Sequence, residues 1–332
     1  MRKLASIQTV TDVKSIPGAD FIVAYKVQGW WVIGKKDEFA VGEPVVYFQV
    51  DSWIPTNLAP FLSKGKEPRE YNGVKGEKLR TMKMKGQLSQ GLILQLEILP
   101  SGDYSDDQDV TEILNVQKWE MPDNAQLGGQ TKGTFPSFIP KTDQERIQTL
   151  GKTLDQQWSR EDDEWMVEEK MEGSSCTIFY FEGEAGVCSR NQELKDEGEN
   201  TFWKVAKKYD VIEKLTALGR NIAIQGELVG PGVQGNHYGL TDHDLFVFDI
   251  YDIDKGEYLC PAERNILVNY LELNPVPSVG GIILKDTTVD MLIEMADGYS
   301  VINGAKRREG LVFKKHNASF KSVSNAYLLG EK

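Results

Sequence analysis

The chain has 332 residues, 38 Lys and Arg against 50 Asp and Glu, a formal net charge of −12 and 40% apolar residues. That length holds two domains or one large one. The acidic balance argues against a surface that binds nucleic acid non-specifically throughout. No apolar run is long enough to cross a bilayer, and the start, Met1 to Ser6, carries no secretory apolar region. An intracellular protein is expected, with cytoplasm and nucleus not distinguished. The cysteines (Cys176, Cys188, Cys260) and histidines (His237, His243, His316) fit no disulfide or zinc spacing. Reduced thiols are expected.

Residues 5–97 carry short strand candidates: Ile7 to Val13, Phe21 to Val27, Trp30 to Ile33, Val45 to Val50 and Gly91 to Leu96. Turn signals such as Pro17-Gly18 separate them. This pattern predicts a small barrel of the oligonucleotide/oligosaccharide-binding (OB) type. Tyr25, Trp30, Trp31, Tyr47, Phe48 and Trp53 crowd the same region. Most belong to a core; one or two remain as base-stacking platforms. A local basic track runs from Lys64 to Lys85 and includes Lys83 and Lys85, candidate phosphate contacts. Val110 to Lys118 reads as a short helix. Gly and Pro then concentrate between residues 119 and 136. The expected domains are 1–120 for nucleic-acid binding, a linker at 121–134, and a catalytic domain at 135–332.

The pattern after Phe135 is mixed α+β. Thr142 and Glu145 form a capping box that predicts a helix starting at 141–146. Further helices are predicted at Thr201 to Leu218, Pro261 to Leu273 and Thr288 to Asn303. Between them lie strands at Trp165–Lys170, Thr177–Phe181, Gly186–Ser189, Ile222–Leu228, Leu245–Tyr251, Gly310–Lys314 and Phe320–Ser322. The stretch from Trp165 to Phe181 reads as two antiparallel strands with Lys170 at the bend. Alone, Lys170 is either part of a solvated charge run or a nucleophile. The later strands decide, because each is interrupted by polar groups that an apolar core would not accept without a partner or ligand. These are Ser189-Arg190-Asn191, Glu227 in Gly226-Glu227-Leu228, Asp249, Glu309 with Lys314, and Lys321.

In this order the motifs resemble those of the covalent nucleotidyltransferases, the ATP-dependent polynucleotide ligases and mRNA capping enzymes. Lys170-Met171-Glu172-Gly173 is similar to their nucleophile motif, with glutamate where aspartate is usual. Val323 stands where the family often has a second lysine after Lys321. Leu79 to Gly91 and Phe135 to Asp143 resemble the RNA ligases of the Naegleria and Deinococcus type, which carry an OB domain first. The expected fold is therefore an N-terminal OB-like β-barrel followed by a nucleotidyltransferase domain of antiparallel sheets with flanking helices.

The resemblance implies an ATP-dependent, AMP-forming RNA ligase that joins 3′-OH and 5′-phosphate ends through lysyl-AMP and 5′-adenylylated RNA. It would use ATP and Mg²⁺ or Mn²⁺, and act as a monomer on duplex or splinted RNA. Lys170 would be the nucleophile. Glu172, Arg190, Lys314 and Lys321 would join it in catalysis. Glu169, Arg190, Glu227, Phe248, Lys314 and Lys321 would contact ATP or AMP, with Phe248 on the adenine. Glu172, Glu227 and Glu309 would hold the metal, whose preference is for oxygen ligands. Lys141 and Arg146 would meet pyrophosphate or RNA. The alternatives are a capping-type guanylyltransferase and a non-catalytic nucleic-acid-binding protein.

Overall fold

The computed structural model describes residues 2–120, 129–197, 200–316 and 318–330. The chain divides into two compact units, Met1–Pro122 with Gln148–Thr153, and Asp123–Ile147 with Leu154–Lys332.

The first unit is all antiparallel strand in its two larger sheets. One has the order Leu92–Leu94, Pro44–Phe48, Ala5–Ser15, Ile22–Val27, Trp30–Lys35. The other runs Gln117–Lys118, Ser52–Pro55, Val74–Lys78, Arg69–Tyr71. Alternation in the strands sends Val23, Tyr25, Val27, Trp30 and Val32 into one core with Val45, Tyr47 and Ile93. Val110 to Lys118 is not a helix: a turn carries Val110 to Val116, and Gln117–Lys118 then joins the sheet edge. The capture of Gln117 and Lys118 by Trp53 and Ser52 competes with any local helix there.

The second unit holds two sheets. The larger runs Thr131–Thr134, Gln192–Leu194, Glu184–Cys188, Ser174–Phe181, Ile222–Val229, Asp244–Asp252, Glu257–Tyr258, with Asn274–Pro275 added in parallel to Asp244–Asp252. The smaller is Ser278–Ile283, Glu164–Lys170, Gly310–Lys315, Ala318–Val323. Lys170 is therefore not at the bend of a hairpin. The Glu164–Lys170 strand pairs with residues more than a hundred positions away, and Ser174–Phe181 belongs to the other sheet. The chain crosses between sheets at Met171–Gly173.

Three other expectations change. Residues 121–128 of the expected linker lie outside the described residues, and Thr131–Thr134 is an edge strand. Residues 141–146 form no helix. Instead Lys321 N–H donates to the Glu145 carbonyl and Ile147 N–H to the Lys321 carbonyl, so a sheet edge takes the groups a first helical turn would need. The stretch predicted as one helix from Thr201 is two, Thr201–Lys208 and Val211–Leu218, broken where Asp210 adopts φ 50°. Pro261–Tyr270 and Val289–Ala296 are the other predicted helices, the second capped by Thr288. Cys176 and Cys188 are buried and free, and burial pushes both thiols up in pKa. Among the described residues no helix is long and apolar enough to cross a membrane.

Candidate active site

Strand parity aims Met166, Glu168 and Lys170 to one face of the smaller sheet, and Trp165, Val167 and Glu169 to the other. Lys170 stands opposite Gly310, so Glu309 enters directly beside it. Lys170 Nζ donates to Glu309 Oε2 at 2.7 Å, with both side chains about one-fifth to one-quarter exposed (25% and 19%). Gly310 is required by close approach: a Cβ there would lie 2.2 Å from the Ser322 carbonyl oxygen. Burial pulls the Lys170 pKa down. The charges of Glu309 and Glu227 and the Glu309 hydrogen bond outweigh it, so the group sits above the ordinary lysine value despite opposition from Arg146.

Glu227 arrives from the larger sheet, on Ile222–Val229, opposite Ser175 on one neighbour and Phe246 on the other. Burial pushes its pKa up to about 7. Lys170, Arg190 and the Gly173 backbone N–H oppose the rise, while Glu309 adds to it. At Gly173 a Cβ would meet the Leu228 carbonyl oxygen at 2.4 Å and Glu227 Cγ at 2.8 Å. The crossing between sheets can thus press against the strand that carries Glu227 only without a side chain. Lys170, Glu227, Glu309, Arg190 and Arg146 form one electrostatic neighbourhood.

Lys321 lies opposite Val312, and its Nζ is 3.3 Å from Asp143 Oδ1. Lys141 Nζ donates to Asn191 Oδ1 at 2.8 Å. Phe246 and Phe248 are half-buried in an apolar cluster with Met171, Val229, Tyr238 and Val276. Lys83 and Lys85 belong to the first unit, exposed on the hairpin Met82–Met84/Gln87–Ser89.

Three of the expected site residues are engaged by protein groups in this structure. Glu169 points away from Lys170. It is buried, and its Oε2 accepts from Val301 N–H at 2.7 Å. Its neighbour Glu168 lies on the Lys170 face of the strand. Lys314 is buried, with its ammonium bound to the Phe248 carbonyl (2.5 Å), Asp249 (2.8 Å) and Glu168 (3.4 Å). Two hydrogen bonds and the Glu168 ion pair hold this ammonium to the protein. Glu172 faces His237 Nδ1 at 3.1 Å and accepts from the Tyr327 hydroxyl, while its N–H donates to Tyr238 Oη at 2.6 Å. Among the described residues no group of three or more His, Cys, Asp or Glu is placed to hold a metal. The carboxylates that share one neighbour, Lys170, are Glu227 and Glu309. Their hard oxygen donors fit Mg²⁺ or Mn²⁺.

Sequence reasoning missed Glu168, Arg264, His237, Tyr238 and Tyr327. Arg264 is 2% exposed and pairs with Glu168, and its Nη1 donates to the Phe248 carbonyl at 2.6 Å. Glu168 was findable from its i−2 relation to Lys170. Arg264, on a helix of ordinary polarity, gave no local signal. The Phe248 carbonyl is available because of a β-bulge: Gln225 pairs with Asp249 and Gly226 with Val247, so Phe248 has no opposite residue on Ile222–Val229. A cavity of about 450 Å³ opens beyond Lys314, lined by Lys141, Asp143, Asp249, Tyr258 and Ser319 among others.

Two sheets that present a lysine and two carboxylates to one another, in a chain that also carries an antiparallel β unit, define a nucleotidyltransferase-type protein with an OB-fold domain. The RNA ligase family model matches residues 163–325, and an OB-fold domain model matches residues 4–96. No curated protein matches the chain. Among solved structures, the chain is similar to an apo mutant of Naegleria gruberi RNA ligase, with 41% identity, 99% of each chain covered and a TM-score of 0.90. It is also similar to a mutant of that ligase with ATP and Mn, at 41% identity, 99% of each chain and a TM-score of 0.89. To that ligase with pyrophosphate it shows 42% identity over 99% of each chain, with a TM-score of 0.88. The chain belongs to the RNA ligase family. The expectations of RNA-ligase activity, of the OB-first α+β fold, and of ATP with a divalent metal agree with these likenesses.

Proposed function

We propose that the chain seals RNA by ATP-dependent ligation, joining a 3′-hydroxyl to a 5′-phosphate with Lys170 as the nucleophile. What carries this reading is the convergence on Lys170 of Glu309 from one sheet and Glu227 from the other. In the first step Lys170 Nζ attacks the α-phosphorus of ATP. An N–P bond forms, the bond to the bridging oxygen breaks, and pyrophosphate leaves. AMP then passes to an RNA 5′-phosphate oxygen, and the lysine nitrogen recovers its proton. Finally the 3′-hydroxyl attacks the activated phosphorus, and AMP leaves.

The resting lysine is protonated and held by Glu309. Activation consists of removing that partner: a buried ammonium without its carboxylates has its pKa pulled down, which frees the lone pair. Glu227 and Glu309 would hold Mg²⁺ or Mn²⁺, which when bound supplies positive charge beside the amine and polarises phosphate oxygens. Arg190, exposed and within electrostatic reach of Glu227, would orient the ribose or acceptor phosphate. Lys321 and Arg146 would neutralise phosphate charge as it develops. Lys141 would meet pyrophosphate or RNA. Phe248 would stack on adenine. Glu172, held by His237 and Tyr327, would fix the crossing between sheets. The acceptor is a duplex or splinted RNA, and the protein acts as a monomer.

Incubation with Mg²⁺ and α-labelled ATP is expected to leave label on the protein, and Lys170→Ala to leave none. A Lys170→Ala protein that took up label would sink the assignment.

A further inference from the structure

Of the aromatic residues Tyr25, Trp30, Trp31, Tyr47, Phe48 and Trp53 in the first unit, five are core: Tyr25, Trp30, Tyr47, Phe48 and Trp53 are at most 2% exposed. Trp31 is the exception, half-exposed on the opposite face of its strand. Lys26 stands directly across from it. Lys14 Nζ lies 3.9 Å and Lys26 Nζ 5.5 Å from the indole centroid. Ala24, beside them on the same face, adds no bulk, and Asp12, opposite Lys26, is the acid nearby. The strand edge continues into the hairpin that carries Lys83 and Lys85. Gln90 N–H donates to the Trp31 carbonyl at 2.8 Å and Ile33 N–H to Ser89 Oγ at 2.9 Å.

We propose that this outer face of Ile22–Val27 and Trp30–Lys35 binds unpaired RNA, with a base stacked on Trp31 and phosphates on Lys14 and Lys26. The inference rests on the RNA-ligase reading and adds the form of RNA engaged. An indole flanked by ammonium groups offers a π-face and phosphate contacts together, the combination that single strands require. Strands 2 and 3 are where OB folds bind oligonucleotides. A duplex hides its base faces in the stack, so it cannot use the platform. Lys14 covers the ring as an exposed cation–π contact, which is weaker than base stacking. A base that displaces it leaves the ammonium beside the backbone phosphate. Lys83 and Lys85 extend the cationic surface along the strand edge.

The test is the affinity of the full chain for a short labelled single-stranded RNA without secondary structure, and for the same strand annealed to its complement. Trp31→Ala is expected to weaken single-strand binding about five- to hundred-fold, to change duplex binding less than about twofold because a duplex exposes no stackable base, and to leave the melting temperature near wild type. Trp31→Phe should recover most of the loss. Lys14→Gln and Lys26→Gln should each flatten the dependence of log affinity on log salt by about 0.7. Trp31→Ala with wild-type single-strand affinity, or with equal losses on both RNAs, would overturn the proposal. If Trp31→Ala does not fold, unchanged salt slopes in the two lysine variants would overturn it. Wild-type protein that never forms lysyl-AMP would instead refute the ligase reading, so the two failures are separable.

Discussion

Lys170 and Lys314 face the same way on one pair of strands, and the structure treats them oppositely. Lys314 stands across from Met166, four rungs from the Lys170–Gly310 rung, roughly 14 Å along the ladder. Lys314 is 6% exposed at the side chain, hydrogen-bonded to Phe248 and Asp249 and ion-paired with Glu168, which it shares with Arg264. Lys170 is 25% exposed and has one carboxylate at 2.7 Å. A buried cation held between two carboxylates cannot be released without leaving uncompensated charge in the interior. A cation held mainly by one partly exposed acid can be. The same residue type on the same face thus serves as a fixed joint in one place and a releasable nucleophile in the other.

The largest expected effect comes from Lys170→Arg. It keeps the positive charge and a partner for Glu309 but cannot deprotonate. Covalent AMP should fall below detection while the melting temperature moves little. Label retained by this variant would break the comparison at its reactive end. Next is Lys314→Met, which strands Asp249 and leaves Glu168 to Arg264 alone. A loss of about 3–5 kcal/mol is expected, or about 6–20 °C in Tm at roughly 2–4 °C per kcal/mol. Loss of adenylylation at unchanged stability would instead make Lys314 a nucleotide contact.

The third test uses pH. The folded pKa of Glu227, about 7, lies above the roughly 4.3 of an unfolded Glu. Between those values the folded state holds a proton that the unfolded state does not. Stability from this group is therefore present below the lower value and lost as pH rises through 7. In metal-free buffer Glu227→Gln should melt higher than wild type at pH 8 and match it near pH 4.5. A constant difference across that range would mean that the carboxyl does not titrate there. The smallest effect is expected for His237→Gln. It removes the partner of Glu172 at 3.1 Å and should cost about 1 kcal/mol, with adenylylation within a few-fold. An effect on adenylylation as large as that of Lys170→Arg would move Glu172 and His237 into the chemistry.

What the sequence revealed were charges embedded in apolar strands. Lys170, Glu227, Asp249, Glu309, Lys314 and Lys321 all lie on or beside strands that were legible from their periodicity. Pairing partners were not legible. Lys170 and Ser174 are neighbours in sequence but join different sheets, because the smaller sheet's ladder is closed by residues 310–315. The Thr142–Glu145 capping pattern was locally sound, yet the backbone of Lys321 took its place. Glu169 adjoins Lys170 in sequence, yet strand parity sends it to the opposite face and puts Glu168 on the Lys170 face. Arg264 is visible only once its helix is packed.

The bulge at Phe248 bears on how this chain can change length. Leu245 and Val247 lie in the apolar core, and so does Ile250, an odd number of residues later. Phe246 and Asp249 consequently share the face of Glu227 and Gln225. A surface loop would absorb the deletion of a single codon. Here the deletion of Phe248 would keep the phase, with Val247 opposite Gly226 and Asp249 opposite Gln225, but would remove the carbonyl to which Lys314 and Arg264 both donate. Two buried cations would then lose an acceptor they share. Variation in length should therefore be tolerated between 253 and 256, where the chain turns at the surface, and rejected between 246 and 249.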